Sequence, residues 1–153
     1  MQALELKIPP LAIGFIIGTL MWLANRAVPA FGFEFPGRRV LAMTVGAAGA
    51  IIIAMGIVSF RRAKTTVNPM QPHTASTLVV SGIYQWTRNP MYLGFFLIMV
   101  GWAMFLSNVL AFLLLPAFVL YMNRFQIEPE ERALASLFGA AFESYRTRVR
   151  RWL

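Results

Sequence analysis

Three long apolar runs, residues 8–31, 40–60 and 91–122, constrain the fold more than any other feature of the sequence. Few charged residues interrupt them, although 13% of the chain is charged, because the charges are concentrated between and after the runs. A charge at mid-membrane costs at least about 2.5–3.5 kcal/mol, so a bilayer selects for this separation. The pattern predicts an all-α integral membrane protein.

The first two runs each predict one membrane-spanning helix, since about 20 apolar residues cross the hydrocarbon core. The second run, residues 40–60, contains Gly46, Gly49 and Gly56 among other small residues. Small residues let two helix backbones approach closely. We therefore expect this helix to pack centrally in the bundle.

The third run, residues 91–122, is too long for one ordinary span. Ser107 and Asn108 lie in its middle and favour a turn. This predicts a tight helical hairpin with arms 90–106 and 109–125. The whole chain then has about four transmembrane helices.

Two polar segments flank the hairpin. Residues 61–89 precede it and show little helical periodicity, and long structured segments of this kind are usually functional. Residues 128–153 follow it and predict a helix, because apolar residues recur at helical spacing opposite a basic face. A basic amphipathic helix beside a membrane usually lies on its surface, and Gly139 is expected to interrupt this one. The chain is thus one membrane domain, 1–153, with two packing helices in 1–60 and the remaining elements in 61–153.

The net charge of +8 arises mainly from Lys and Arg residues beside the apolar runs. The positive-inside rule places residues 61–89, the tail and both termini in the cytoplasm, with the protein in the inner or plasma membrane. Basic residues beside spans are ordinary topology signals, so nucleic-acid binding is not predicted. The chain has no Cys and one His, which excludes disulfides, Cys-based metal sites and His-rich metal sites.

The hairpin predicts where polar residues converge. Antiparallel arms of equal length return the chain beside its start, so residues 84–92 and 124–131 should be neighbours. Physical reasoning alone then predicts a polar pocket at the cytoplasmic membrane face, without naming a reaction.

The candidate residues in this pocket each have two interpretations. Asn89 and Pro90 suit a helix start, with Asn89 as the N-cap, and a helix N-terminus also offers N–H groups to an anion. Glu130 and Glu131 are favoured in a first turn by the helix dipole, and carboxylates there also suit ribose hydroxyls, an ammonium or a sulfonium. Arg124 fits a topology-setting arginine, and equally a donor to a substrate carboxylate or phosphate.

Residues 78–92, LVVSGIYQWTRNPMY, resemble the signature of the isoprenylcysteine carboxyl methyltransferases, which related phospholipid methyltransferases share. The later residues fit the same pattern at the same spacing: an apolar hairpin, then Glu130-Glu131, Leu134, Phe138-Gly139 and Tyr145. The resemblance covers residues 77–152. The two motifs together, separated by a helical hairpin, are more specific than either alone.

The resemblance implies S-adenosylmethionine as cofactor and methyl transfer to a lipophilic small molecule among membrane lipids, on a carboxylate, thiol or amine. It implies cofactor contacts from the segment before the hairpin, from its first turn and from one glutamate: Ser76, Thr77, Leu78, Val79, Tyr84, Asn89, Pro90, Met91, Tyr92 and Glu130. The catalytic candidates are Arg124, the nearest cation for the substrate, and Glu131, a base for an amine acceptor.

Two residues depart from the family pattern. The family usually has His at the position of Asn89, and Asn does not titrate near neutral pH. A substrate-facing Arg of the eukaryotic enzymes falls at Gln126. These departures leave open an acceptor other than a prenylated cysteine.

Two other functions fit parts of the sequence. Membrane sterol reductases resemble the C-terminal region and use a nicotinamide cofactor, but they are much longer. A non-enzymatic lipid-binding protein or a small transporter would also have four helices. Coupled transport usually needs an ionisable residue within a span, and the predicted spans contain no acidic residue.

Overall fold

The computed structural model describes residues 5–65 and 70–153, with only the backbone described at His73. Within those ranges the chain is helical or irregular. The helices are α1 (Pro10–Ala27), α2 (Arg38–Arg62), α3 (Pro90–Leu106), α4 (Val109–Leu113), α5 (Leu115–Met122), α6 (Glu128–Phe138) and α7 (Ala140–Arg148). A π-helical turn, Asn123–Ile127, joins α5 to α6, and short 3₁₀ turns cover Pro29–Phe31, Pro72–Thr74 and Gly82–Gln85.

The helix lengths confirm the all-α membrane fold. In the described part of the chain, Pro10–Ala27, Arg38–Arg62 and Val109–Phe138 are long and apolar enough to cross a membrane. The other apolar helix, Pro90–Leu106, has 17 residues and spans about 26 Å at 1.5 Å per residue, slightly less than a typical hydrocarbon core. The predicted four spans are therefore three of full length and one shorter helix.

The predicted hairpin turn is present at Ser107 and Asn108. Ser107 ends α3 in the left-handed conformation with φ of 49°, and the Asn108 side chain caps α4 by accepting from the Leu110 N–H at 2.9 Å. The Asn108 Nδ2 also donates to the Val28 carbonyl at 3.1 Å, so the connection between α1 and α2 packs against this turn. The second arm breaks briefly at Leu114, just before Pro116, which has no N–H to continue the helix.

The close approach of α2 to α3 depends on small residues. A Cβ on Gly49 would lie 2.5 Å from the Gly94 carbonyl oxygen, and one on Gly101 would lie 2.7 Å from that of Ala42. The expectation of a centrally packed α2 is nevertheless wrong. Helix α2 packs chiefly against α3, and α3 contacts α1, α2, α4 and α5. Small residues specify a close contact on one face, and the other faces of α2 are largely exposed.

The tail departs from its prediction at its end. Gly139, with φ of 48°, separates α6 from α7 as expected. Helix α7 stops at Arg148, however, and residues 149–153 are not helical. Val149 is extended because the guanidinium of Arg88 donates hydrogen bonds to the carbonyls of Arg146 and Val149, at 2.9 and 3.0 Å. Donors from elsewhere in the fold thus replace the next helical turn.

Candidate active site

The hairpin places the residues at its start, just before and within the first turn of α3, against the first turn of α6, which follows its second arm. The Tyr92 hydroxyl, in the first turn of α3, donates to the Glu130 carboxylate in the first turn of α6. The Arg88 Nη2, just before α3, donates to the Glu131 Oε1 at 2.7 Å. The predicted contact between residues 84–92 and 124–131 is therefore confirmed.

A cavity lies between these two segments. It is partly open to solvent. The walls are mostly apolar, with carboxylates and a guanidinium at one side.

Most of the residues expected to contact a cofactor or substrate line this cavity: Thr77, Leu78, Val79, Tyr84, Asn89, Met91, Tyr92, Glu130 and Glu131. Three of the expected residues do not. Ser76 is exposed and its hydroxyl bonds to that of Thr65 at 3.2 Å, and Pro90 is buried in the first turn of α3.

Arg124 is the third, and it belongs to a different cluster. Its Nη1 contacts the Glu5 carboxylate at 3.1 Å and that of Glu128 at 3.2 Å. The Glu5 carboxylate also pairs with Arg132. These ion pairs attach the segment before α1 to the π turn and α6.

Gln126 supports the same attachment from inside the protein. Its side chain is fully buried, and its Nε2 donates to the Ile8 carbonyl at 2.7 Å. Its Oε1 is buried and has no hydrogen-bond partner among the described residues. Gln126 thus holds the segment before α1 to the π turn.

Asn89 occupies the N-cap position of α3, but its side chain makes no capping hydrogen bond. The Asn89 Nδ2 donates instead to the Arg151 carbonyl at 2.9 Å. The expectation that this side chain caps the helix is therefore wrong. The chain after α7 returns to the start of α3, where the Arg151 carbonyl accepts from Asn89. The sequence pattern does not reveal this contact.

The paired glutamates have different surroundings. Glu131 accepts from Arg88 at 2.7 Å and, on both oxygens, from the Arg151 guanidinium at 3.3 and 2.6 Å. Glu130 lines the cavity and accepts from the Tyr92 hydroxyl. Glu131 is thus neutralised by two cations, whereas Glu130 is a carboxyl group that faces a mostly apolar cavity with no cationic partner among the described residues.

Several lining residues were not among the predicted contacts: Phe60, Pro72, Ala75, Arg88, Leu134, Phe142 and Tyr145. The sequence did carry a signal for some of them. Leu134, Phe142 and Tyr145 form the apolar face of the tail, which was expected to meet the membrane surface. Phe142 and Tyr145 are instead buried against the protein, where they complete the cavity wall.

Two tyrosines join this wall to the loop before α3. The Tyr145 hydroxyl donates to the Tyr84 carbonyl at 2.7 Å, and the Tyr84 ring packs edge-on against Phe60. Burial raises the pKa of Tyr145 above its ordinary value. Burial, with the nearby Glu130 carboxyl, also raises the pKa of Tyr84. Both hydroxyls therefore stay protonated at neutral pH and can donate hydrogen bonds.

Comparisons with known proteins place this geometry among relatives. A family model described as phospholipid methyltransferase matches residues 38–141. The protein-S-isoprenylcysteine O-methyltransferase of Schizosaccharomyces pombe is 39% identical over 72 residues, covering 47% of this chain and 30% of that protein. The protein of the same name from Saccharomyces cerevisiae is 26% identical over 132 residues, covering 76% of this chain and 54% of that protein.

A third relative is shorter than this chain. This Haemophilus influenzae protein, described only as uncharacterized, is 46% identical over 63 residues, which are 41% of this chain and its own whole length. The chain spans no more than about half the length of either yeast relative.

Proposed function

We propose, since the chain belongs to the phospholipid methyltransferase family, that it is a membrane methyltransferase that uses S-adenosylmethionine to methylate a lipophilic acceptor. The observation that carries the proposal is the cavity between the two motif segments. It has apolar and aromatic walls and two glutamate side chains, of which Glu130 is held in place by Tyr92.

The chemistry of the cavity walls suits the cofactor. Phe60, Tyr84 and Phe142 offer aromatic surface for a flat heterocycle. Glu130 offers a carboxyl group for ribose hydroxyls or a cationic group, and a cation bound beside it would favour its ionised form, which accepts the stronger hydrogen bonds.

Held by Glu130 and the aromatic walls, the cofactor would supply a methyl group on a positively charged sulfur for direct displacement by the acceptor atom. Such a reaction needs alignment and proximity more than a strong base. In this chain, Glu130 attracts the positive charge, Tyr92 fixes the direction of that carboxylate, and the apolar walls limit access of water.

The acceptor remains a carboxylate, a thiol or an amine on a lipophilic molecule. Glu131, the expected base for an amine, is engaged by two guanidinium groups, so we assign it to holding the cavity walls together. Glu130 is then the better placed carboxylate for a base. The proposed function does not require Arg124, which does not line the cavity.

An apolar groove supports a lipophilic acceptor. It lies between α1 and α3 and is lined by Phe15, Trp22, Phe95, Met99 and Trp102, among others. Phe95 follows Tyr92 by about one helical turn, so the groove begins one turn beyond the cavity along α3. A hydrocarbon chain in this groove would have its polar end near the cavity. A lipid-binding protein without activity would use the same groove.

The orientation is also proposed from charge. The exposed arginines Arg61, Arg62, Arg148 and Arg150 lie at the same end of the bundle as the cavity. The positive-inside rule places that end in the cytoplasm, where the soluble cofactor is available.

Calorimetry with S-adenosylhomocysteine tests the proposed function on detergent-purified protein. We expect saturable binding, weakened about 10- to 100-fold by Glu130→Gln, since a hydrogen bond to a charged group contributes about 1.5–3 kcal/mol. Glu143→Gln is the matched control. It makes the same chemical change at a half-exposed residue that pairs with Arg146. Absence of binding by the wild type, or equal binding by Glu130→Gln, would refute the proposal.

The acceptor is identified by mass spectrometry of lipid extracts incubated with protein and labelled-methyl cofactor. A labelled lipid would establish activity and name the acceptor. Lipid that copurifies while no label is transferred would instead favour the lipid-binding alternative.

A further inference from the structure

Residues 149–152, which we call the strap, turn back from the end of α7. They run between the loop before α3 and helix α6, which form two walls of the cavity. We propose that the strap locks these walls together, and that Arg151 is a positioning residue that acts through Glu131. Only the consequence for cofactor binding depends on the proposed function. The locking itself is a claim about the fold around the cavity.

One side of the strap is attached to the loop before α3. The Arg88 N–H donates to the Arg150 carbonyl at 3.0 Å. The Arg151 carbonyl accepts from the Asn89 Nδ2 at 2.9 Å and from the Thr87 hydroxyl at 3.3 Å. Consecutive carbonyls of the strap therefore bind three consecutive residues at the start of the hairpin.

The other side of the strap is attached to α6. The Arg151 Nε and Nη2 donate to the two oxygens of Glu131, a paired geometry that favours one fixed orientation of both side chains. Glu131 also accepts from Arg88, so one carboxylate lies between two guanidinium groups. The Glu131 side chain is only 13% exposed and that of Arg88 11%, so removal of one partner would leave charge poorly solvated.

The end of the strap is anchored at the π turn. The Trp152 Nε1 donates to the Asn123 Oδ1 at 2.9 Å, and the Trp152 ring packs edge-on against Phe96 of α3. Four residues of the strap thus connect the loop, α3, the π turn and α6. These are the elements that meet around the cavity.

The geometry distinguishes positioning from direct binding. Arg88, Asn89 and Glu131 line the cavity, whereas Arg151 does not. Arg151 therefore influences a bound molecule only through two of these lining residues: Glu131, which pairs with its guanidinium, and Asn89, which binds its carbonyl. Glu130, adjacent to Glu131 on α6, is kept facing Tyr92 when α6 is held in this register.

Arg151→Gln tests the strap, with Arg150→Gln as the matched control. Arg150 is the neighbouring residue and loses the same charge, but its side chain is exposed and only its carbonyl takes part in the strap. Arg151→Lys keeps the charge without the paired geometry, so we expect it to restore part of the effect. The readouts are amide hydrogen exchange over residues 84–92 and 128–135, S-adenosylhomocysteine affinity and thermal unfolding.

We expect Arg151→Gln to increase exchange of the Arg88 amide and of its neighbours, and to weaken S-adenosylhomocysteine binding about tenfold, with Arg150→Gln like the wild type. In a Glu131→Gln background, Arg151→Gln should add little, because the two residues act as one unit. Unchanged exchange in Arg151→Gln, or additive effects in the double variant, would overturn the strap.

The test separates this proposal from the proposed function. If the wild type binds no S-adenosylhomocysteine, the proposed function fails, and hydrogen exchange still decides whether the strap locks the walls. If the wild type binds and Arg151→Gln loosens the walls without loss of affinity, positioning by Arg151 is refuted while the proposed function stands.

Discussion

Replacing Gly49 with alanine tests the packing that places the start of α3 beside the cavity. Gly49 lies on α2 where its backbone meets that of α3. The added Cβ would lie 2.5 Å from the Gly94 carbonyl oxygen and 3.0 Å from the Ile98 nitrogen. Both atoms are backbone, so they cannot rotate away, and the two helices must separate by about 1 Å to reach ordinary contact.

The cost of this change can be isolated with a control on the same helix. Overpacking of a close contact costs about 1–3 kcal/mol, whereas alanine in place of glycine favours a helix interior by about 0.5–1 kcal/mol. Gly46→Ala should gain only the helix-propensity contribution, since a Cβ at Gly46 meets no atom within 4 Å among the described residues. The difference in unfolding free energy between the two variants is therefore the overpacking cost, about 1–3 kcal/mol.

Thermal unfolding in detergent, followed by tryptophan fluorescence, measures this difference. For a chain of about 150 residues, each kcal/mol shifts the Tm by about 2–4 °C. We expect Gly46→Ala to unfold at or above the wild-type temperature, and Gly49→Ala to unfold below Gly46→Ala by a few degrees or more. Equal stability of the two variants would show that α2 and α3 are not in backbone contact at Gly49.

Three further predictions concern the cavity wall at Tyr145, the role of Arg124 and the orientation of the protein in the membrane. Tyr145→Phe removes the donor to the Tyr84 carbonyl and should destabilise the protein by about 0.5–1.5 kcal/mol in chemical unfolding; no change would contradict that hydrogen bond. Arg124→Gln should leave S-adenosylhomocysteine affinity at the wild-type value in calorimetry, whereas a large loss would place Arg124 in the site. Because the sequence has no Cys, Glu34→Cys and Ser144→Cys can be labelled singly, and an impermeant maleimide on intact cells should reach only the first.

The helices and the hairpin were predictable because they follow from local properties of the sequence. Apolar length defined the spans, and Ser107-Asn108 marked the turn. The number of neighbours around α2 was not predictable, since small residues specify how closely two helices approach and not how many helices surround them. The exposed face of α2 is apolar, and an apolar face in a membrane protein is covered equally well by lipid or by another helix.

The candidate site was predictable where the geometry of the hairpin alone brings two segments together. The equal arms of the hairpin placed Tyr92 near Glu130, and the structure confirms their contact. The walls formed by Phe142 and Tyr145 were assigned to the membrane surface, because an amphipathic pattern reveals an apolar face without saying whether lipid or protein covers it.

Long-range pairings were the least predictable part of the site. The role of Arg88 depends on the strap and on Glu131, which lie 43 or more residues away along the chain. The side chain of Asn89 likewise binds a carbonyl 62 residues away in place of capping its own helix. Local preference favours a cap for such a residue, and the tertiary acceptor overrides that preference.

The central claim, a methyl-donor cavity between the start of the hairpin and α6, is tested most directly by photo-crosslinking. Purified protein is irradiated with tritium-labelled S-adenosylmethionine, with and without excess S-adenosylhomocysteine, and the labelled peptides are sequenced. We expect competable label within residues 75–92 and 128–145. Label confined to α1 and α2, or label that excess S-adenosylhomocysteine does not reduce, would contradict the account.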